Sequence, residues 1–315
     1  MPHRFPCLEP GALPAVRPSW STSPQSLTIE VCIDSVESAI AWVTLAATNH
    51  PLLSSALSIR AHLGRADRLE LCGNLGVGGG TTPSIGLFKQ VRAAIPGTPI
   101  MVMVRPRTGD FFYSEAELEV MKEDIRAFRD AGADGVVFGI LNKDGRIDVD
   151  HTQSLAQEAG DMQICFHRAF DMSSQDVLTA HLDISKIPQV TRILTSGQAP
   201  TAPSPAALPK LRTLIRTASH MPASATILVG SGVNAQTIGP LLKELLPCGL
   251  REVHLSGGSW VASEMEFRRP QMGMGVGGDG EWGIWRTSEE RVREVRSIVD
   301  AAWEQFVENT KVETN

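Results

Sequence analysis

The sequence contains no apolar run that approaches the ~18 residues needed by a membrane-spanning helix, so no membrane partner is expected. Aromatic residues make up only 5% of the chain, with a single tyrosine, and the formal net charge is −6. These features do not suit a nucleic-acid surface, which binds through positive charge and base stacking. The N-terminus also lacks the basic start and apolar stretch of a secretory signal, and we therefore expect a cytoplasmic protein.

Cysteine is scarce and irregularly placed. The five cysteines are an odd number without CxxC spacing, which argues against a disulfide framework and indicates a reducing compartment. Residues 1–27 are rich in Pro and Ser and show no hydrophobic periodicity. We predict a disordered extension over 1–27, a domain over 28–306 and a tail over 307–315.

Short β-branched or apolar runs alternate with segments of helical spacing from residue 28 onward. The runs are TIEVCI (28–33), DRLELC (67–72), PIMVMVR (99–105), DGVVFGI (134–140), QICFHR (163–168), TRILTS (191–196), ATILVG (225–230) and REVHLS (251–256). Such alternation predicts parallel βαβ units, and eight strands are the number that closes a barrel. The predicted fold is α/β, a single (β/α)₈ TIM barrel. A doubly wound sheet is the alternative, but no GxGxxG follows the first run.

The connections between the runs differ in length. In one of them, apolar residues recur at helical intervals after Ser114, a predicted N-cap: Leu118, Met121, Ile125 and Phe128. Residues 48–62 exceed what a minimal barrel needs, as does a Gly- and Met-rich loop over 257–286 that precedes a last helix at 287–306. The latter loop falls on the C-terminal face, where barrels carry lids and binding elements.

Polar residues near the ends of the predicted strands share one face. Side chains alternate along a strand, and because the apolar partners such as Val31 and Leu69 face the helices, the polar set must point into the barrel. This set includes Glu30, Cys32, Glu70, Cys72, Arg105, Arg107, His167 and His254. Buried carboxylates are costly unless they are paired. One interpretation is a structural ion-pair layer; the position near strand C-termini favours a functional site.

Cys32 and Cys72 lie on the same face near the ends of adjacent strands. Adjacent parallel strands are about 4.8 Å apart, so the two cysteines could be neighbours. Paired thiolates suit a soft metal such as Cu(I). The alternative is that both are buried as small apolar residues.

Three glycine-rich turns follow predicted strands, at 78–84, 195–201 and 230–235. The first could cradle an anion or be a plain loop, and the other two follow the sixth and seventh strands, where barrels often bind phosphate. The long loop carries methionines for which packing is the favoured interpretation and thioether ligation the alternative: Met265, Met272 and Met274.

Several runs together resemble the CutC family. They are EVCIDSVESA (30–39), ADRLELCGNLGVGGGTTPS (66–84), VMVRPRTGDFFYSEAELEVMKEDI (102–125), GADGVVFGILNKDGRIDVD (132–150), FHRAFDM (166–172), RILTSGQAPTA (192–202), GSGVNAQTI (230–238), EVHLSG (252–257) and MEFRRPQMGMG (265–275). The resemblance spans roughly 28–306. It implies a cytosolic TIM barrel, usually a homo-oligomer, that is associated with copper homeostasis and binds Cu(I), with Cys32 and Cys72 at the positions that match the family's proposed ligands.

The chain departs from the family pattern in its N-terminal extension, its 48–62 insertion and the glycines around Cys72. None of these changes removes a polar residue at the mouth of the barrel. The loop change at 76–80 could alter access beside Cys72.

Two functional hypotheses follow. The first is a copper homeostasis protein that binds copper through Cys32 and Cys72. The second is a barrel enzyme for a small anionic carbonyl or phosphorylated compound, with Arg105 and Arg107 as an anion clamp and His167 as general acid or base oriented by Asp171 or Glu70. The candidate catalytic residues are Glu30, Glu70, Arg105, His167 and Asp171, and the candidate ligand-binding residues are Arg107, Arg168, Ser196, Gly197, Gly232 and His254.

Overall fold

A computed structural model describes residues 26–40, 66–221, 224–269 and 271–313. The 48–62 connection and all but the last two residues of the predicted disordered extension lie outside these ranges. None of the helices in the described ranges combines the length and hydropathy needed to cross a bilayer.

Eight parallel strands pair in chain order, and the first also pairs with the eighth, so the sheet closes. The predicted TIM barrel is therefore confirmed. The strands are β1 Thr28–Ile33, β2 Arg68–Leu71, β3 Ile100–Met103, β4 Gly135–Phe138, β5 Gln163–Phe166, β6 Val190–Thr195, β7 Thr226–Val229 and β8 Glu252–Leu255.

Helices follow the strands and cover the outside of the barrel. They are α1 Val36–Ile40, α2 Ile85–Ala94, α3 Glu115–Asp130, α4 Val149–Ala159, α5 Val177–Ile184, α6 Leu208–His220, α7 Ala235–Leu245 and α8 Glu289–Glu313. In α3 the predicted cap is present, because Ser114 and Glu117 form a reciprocal capping box. The four apolar residues predicted for its inner face are all buried.

Two features differ from the prediction near the end of the chain. The loop predicted over 257–286 contains an antiparallel hairpin, β9 Gly258–Val261 and β10 Ile284–Thr287. The final helix α8 continues to Glu313, beyond the expected end at 306. The hairpin packs beside the first strand, since the Thr287 hydroxyl donates to the Cys32 carbonyl.

The side chains of the strands alternate between the outside and the inside of the barrel as expected. Residues such as Val31, Leu69, Leu71 and Val253 belong to the large cluster between the barrel and its helices. A separate, smaller cluster fills the barrel interior: Cys72, Met101, Met103, Val137, Cys165, Leu194 and Leu228.

One glycine makes that interior packing possible. A Cβ atom at Gly135 would lie 2.4 Å from the Met101 sulfur and 2.6 Å from a backbone oxygen. Glycine in a strand commonly marks such a close approach.

Strand register brings polar residues of three adjacent strands together. Glu30 of β1 is opposite Arg68 of β2 and His254 of β8, and Cys32 is opposite Glu70. Since the side chains of all these residues point into the barrel, one end of the barrel interior is polar.

Candidate metal centre and cavity at the barrel mouth

A buried ion-pair layer lies inside the barrel below the mouth. Arg68 pairs with Glu30 and, at 2.6 Å, with Glu252, which also pairs with Arg192 at 2.9 Å. Burial alone would raise the pKa of Glu30, but the Arg68 guanidinium and His254 hold it well below its usual range. Glu30 is fully buried with both oxygens occupied. It therefore belongs to a structural layer and affects the mouth through His254.

Three ligand-type side chains converge directly above this layer. Cys32, Glu70 and His254 each offer an atom within 4.8 Å of the others, and all three are buried. The His254 Nδ1 lies 2.8 Å from Glu30 Oε1, and its Nε2 lies 3.7 Å from Glu70 Oε2. A carboxylate on one ring nitrogen leaves the other directed at the cluster, an arrangement common for metal-binding histidines.

The protonation of this cluster depends on burial and mutual charge. Burial raises the pKa of the Cys32 thiol above its usual range and raises the pKa of Glu70 to about 7. Burial opposes a charge on His254, but Cys32, Glu30 and Glu70 together raise its pKa well above its usual range. The cluster therefore holds exchangeable protons that a metal ion would displace.

Cys72 lies beside the cluster rather than within it. Its sulfur is 3.7 Å from Glu70 Oε2, and the side chain is fully buried. A Cβ atom at Gly80 would lie 2.8 Å from the Cys72 Cβ, so the glycine loop closes over this thiol. The group of close ligand atoms thus differs from the predicted cysteine pair, because register places Glu70 opposite Cys32 and Cys72 two residues further along.

A cavity of about 1000 Å³ opens above the cluster at the strand C-termini. Its lining includes Cys32, Glu70 and His254 together with Met103, Arg105, His167 and Arg168. The lining continues into the loops after β7 and β8 and onto α8. A volume of this size is at the upper end of the range for small-molecule sites.

Arg105 is buried in the cavity wall, and its guanidinium donates mainly to backbone carbonyls. Its guanidinium donates to the carbonyls of Gly78, Gly80 and Gly109 at 2.6, 3.0 and 3.2 Å. It also stacks 5.1 Å from the Phe111 ring centroid. The 78–84 turn therefore directs two of its carbonyls at a cation, and its interpretation as an anion cradle stays a prediction.

Arg107 lies away from the cavity, contrary to the predicted anion clamp. Its side chain pairs with Glu117 and Asp110, at 2.5 and 3.0 Å, and lies over the Tyr113 ring. Strand β3 ends at Met103. Side chains alternate between the two faces only where the backbone is extended. The alternation that predicts an inward-pointing Arg107 therefore does not hold beyond the end of β3.

His167 is a buried, neutral imidazole in the cavity wall. Burial, reinforced by the charge of Arg105, lowers its pKa to about 3. Its Nδ1 accepts from the Ala169 N–H at 3.2 Å, which assigns the proton to Nε2, and Nε2 has no partner among the described residues. Gly139 makes room for the ring, because a Cβ there would lie 2.5 Å from Nδ1.

Asp171 does not orient His167, contrary to expectation. Its carboxylate accepts from the N–H groups of Ser196 and Gln198, at 2.9 and 3.0 Å, and pairs with Arg168 at 2.8 Å. Asp171 thus anchors the loop after β6, in which Gly197 adopts a φ of 74°. Ser196 is fully buried, and Arg168, which donates to its hydroxyl, extends to the cavity.

Gly232 lines the cavity at the start of α7, next to the helix cap Asn234. The methionines of the long loop are not packed: Met265, Met272 and Met274 are 55%, 61% and 100% exposed. Their favoured interpretation as packing residues is wrong.

Comparison with known proteins agrees with this architecture. The model of the CutC family matches residues 52–259. A CutC family protein of Chromobacterium violaceum is 39% identical over 255 residues, covering 79% of this chain and 96% of the relative. The human copper homeostasis protein cutC homolog is 36% identical over 271 residues, covering 86% and 88%. The chain belongs to the CutC family.

A solved CutC structure from Streptococcus agalactiae shares the fold, with a TM-score of 0.58 and 28% identity, covering 72% of this chain and 97% of that one. In the present CutC protein, the family model includes Glu70, Cys72 and His254, whereas Glu30 and Cys32 precede the matched range.

Sequence reasoning missed several residues of this CutC barrel. Arg68 and Glu252 have the same parity as Glu70 and His254, so extending the alternation to the strand starts would have found them. Two further residues lie outside the strands, where side-chain alternation gives no signal. They are Phe111, whose ring lies 4.8 Å from that of His167, and Arg291 of α8.

Proposed function

We propose that this CutC protein binds Cu(I) at the barrel mouth, with the Cys32 sulfur and the His254 Nε2 as its main ligands. The observation that carries the proposal is the convergence of Cys32, Glu70 and His254 within 4.8 Å. The contact from Glu30 to His254 Nδ1 supports it further, because it leaves the other ring nitrogen, which lies 3.7 Å from Glu70 Oε2, for the cluster.

The available donors suit a soft cation. Thiolate and thioether sulfur select Cu(I), and imidazole also binds copper. Cys72 adjoins Glu70 and offers a second sulfur, while Met103 offers a thioether from the cavity wall. Glu70 is the hard ligand of the set, and its raised pKa of about 7 leaves a substantial fraction of the carboxyl protonated near neutrality. Copper here is the cargo of a homeostasis protein, in line with the human relative's name.

Metal binding at this cluster must release protons. Cys32 and His254 both have raised pKa values, and each must lose its proton to bind the ion. We therefore expect copper affinity to fall as the pH falls, with release of protons measurable by calorimetry in buffers of different ionisation enthalpy.

An anaerobic Cu(I) competition titration tests the proposal, using wild type and the variants Cys32→Ser, His254→Gln and Cys72→Ser. Cys248→Ser is the matched control, because Cys248 is buried near the end of α7, outside the cavity lining, and its thiol donates to the Glu244 carbonyl. We expect stoichiometric binding that is lost in Cys32→Ser, weakened in His254→Gln and unchanged in the control. Binding that is indifferent to both Cys32 and His254 would refute the proposed site.

A further inference from the structure

The cavity is far larger than an ion requires. Its volume of about 1000 Å³ would hold an organic molecule of moderate size. His167 lines this cavity, is 4% exposed, and its Nε2 has no protein partner in the described ranges. A buried polar atom without a partner is costly, and here it would be satisfied by an oxygen of a bound molecule.

The loops after β6 and β7 differ in the groups that accept hydrogen bonds from their backbone N–H groups. Each has two neighbouring residues with positive φ, Gly197 and Gln198 in the first, Ser231 and Gly232 in the second. In the β6 loop the Asp171 carboxylate accepts from two backbone N–H groups.

Among the described residues, no carboxylate accepts from the backbone N–H groups of the β7 loop in this way. Within the part of the chain that the structure describes, the N–H groups of Gly232 and Val233 have no acceptor. Both residues line the cavity, immediately before the N-terminus of the 11-residue helix α7. Free N–H groups at a helix N-terminus bind anions, and the loops after the seventh and eighth strands commonly hold phosphate in TIM barrels.

Arginine side chains also line the cavity. Arg168 reaches it from the β5 side, and Arg291 reaches it from α8, where it donates to the Gly258 carbonyl at 2.9 Å. The carboxylates in the lining are Glu70, in the metal cluster, and the exposed Glu294 on α8. With Arg105 included, arginines outnumber carboxylates in the lining, which favours an anionic occupant.

We propose that this cavity binds a small phosphate monoester, with its phosphoryl group at the Gly232–Val233 backbone and Arg291, and an oxygen of its organic part at His167 Nε2. The site differs from the anion clamp expected from sequence, because Arg105 is engaged by carbonyls and Arg107 points elsewhere. It uses none of the atoms proposed to hold copper, so it stands independently of copper binding.

Calorimetric titration of the metal-free protein with glycerol 3-phosphate, inorganic phosphate and glycerol tests this site. We expect both phosphates to bind and glycerol not to bind. Arg291→Gln should weaken binding of both phosphates by about tenfold, the scale of a charge-assisted hydrogen bond. Arg293→Gln is the matched control: Arg293 lies on the same helix, is exposed, and pairs with Glu289 outside the cavity lining.

His167→Phe distinguishes the organic part of the ligand from its phosphate. This variant keeps a ring of similar shape, and we expect weaker binding of glycerol 3-phosphate with inorganic phosphate unaffected, which also shows that the variant folds. Cys32→Ser should bind both phosphates normally. The proposal is overturned if neither phosphate binds, if glycerol binds as well as its phosphate, or if Arg291→Gln and Arg293→Gln have equal effects.

Discussion

Replacing Glu30 by glutamine removes the negative charge beneath the metal cluster and keeps the shape of the side chain. In the native protein one carboxylate oxygen accepts from Arg68 and the other from His254 Nδ1, at 2.8 Å, and the residue is fully buried. A glutamine supplies only one acceptor oxygen, so its amide NH₂ must face one of these two donors.

The expected cost follows from this buried mismatch. Removing one partner of a buried ion pair typically costs about 3–5 kcal/mol, although Arg68 keeps its second partner Glu252 at 2.6 Å. Loss of the carboxylate behind a ligating histidine should also lower metal affinity by about 10- to 100-fold. We therefore expect Glu30→Gln to lower both the free energy of unfolding and the affinity for Cu(I).

Urea denaturation followed by far-UV circular dichroism measures the first effect. The matched control is Glu123→Gln, the same chemical change at a side chain that is 73% exposed and pairs with Arg126 on the surface of α3. Surface pairs contribute at most about 1 kcal/mol. If the two variants lose equal free energy of unfolding, the ion-pair layer does not stabilise the barrel as described.

Further predictions concern packing and pH. Gly135→Ala should lower the free energy of unfolding by about 1–3 kcal/mol through overpacking against Met101. Gly86→Ala in helix α2 should raise it by up to about 1 kcal/mol, because the added Cβ would make only an ordinary contact with the Ser84 Oγ at 3.7 Å. Equal shifts in chemical denaturation would contradict the packing argument. His167 has a pKa of about 3 in the fold and about 6.5 when unfolded. The unfolded chain therefore binds more protons between these values, and stability falls as the pH falls. His167→Gln should reduce that slope by up to about 1.4 kcal/mol per pH unit, and an unchanged slope would mean that His167 is charged in the fold.

The fold was largely predictable because hydrophobic alternation reports on strands and helices locally. The N-cap at Ser114 and the apolar face of α3 are encoded within sixteen residues, and the structure confirms both. Strand ends are less well encoded: β3 stops at Met103, and the polar residues beyond it take directions set by loop contacts.

The site was only partly predictable because it depends on register. Parity correctly predicts that Glu30, Glu70 and His254 point inward, but the offset between β1 and β2 decides that Cys32 faces Glu70 rather than Cys72. A closed barrel imposes this stagger on all strands together, so no single strand reveals it.

The protonation states of the site residues could not be predicted from the sequence either. His167 is neutral because its ring is enclosed between Gly139 and Phe111 and lies near Arg105. Asp171, one of the two residues expected to orient it, instead accepts hydrogen bonds from the β6 loop. These assignments depend on tertiary contacts among segments that are distant in sequence.

X-ray absorption spectroscopy of the protein loaded with Cu(I) under anaerobic conditions tests the central claim most directly. The proposed centre predicts both sulfur and imidazole nitrogen in the first coordination shell, with the nitrogen contribution lost in His254→Gln. A wild-type spectrum containing only sulfur ligands, or one that His254→Gln leaves unchanged, would contradict a centre built from Cys32 and His254.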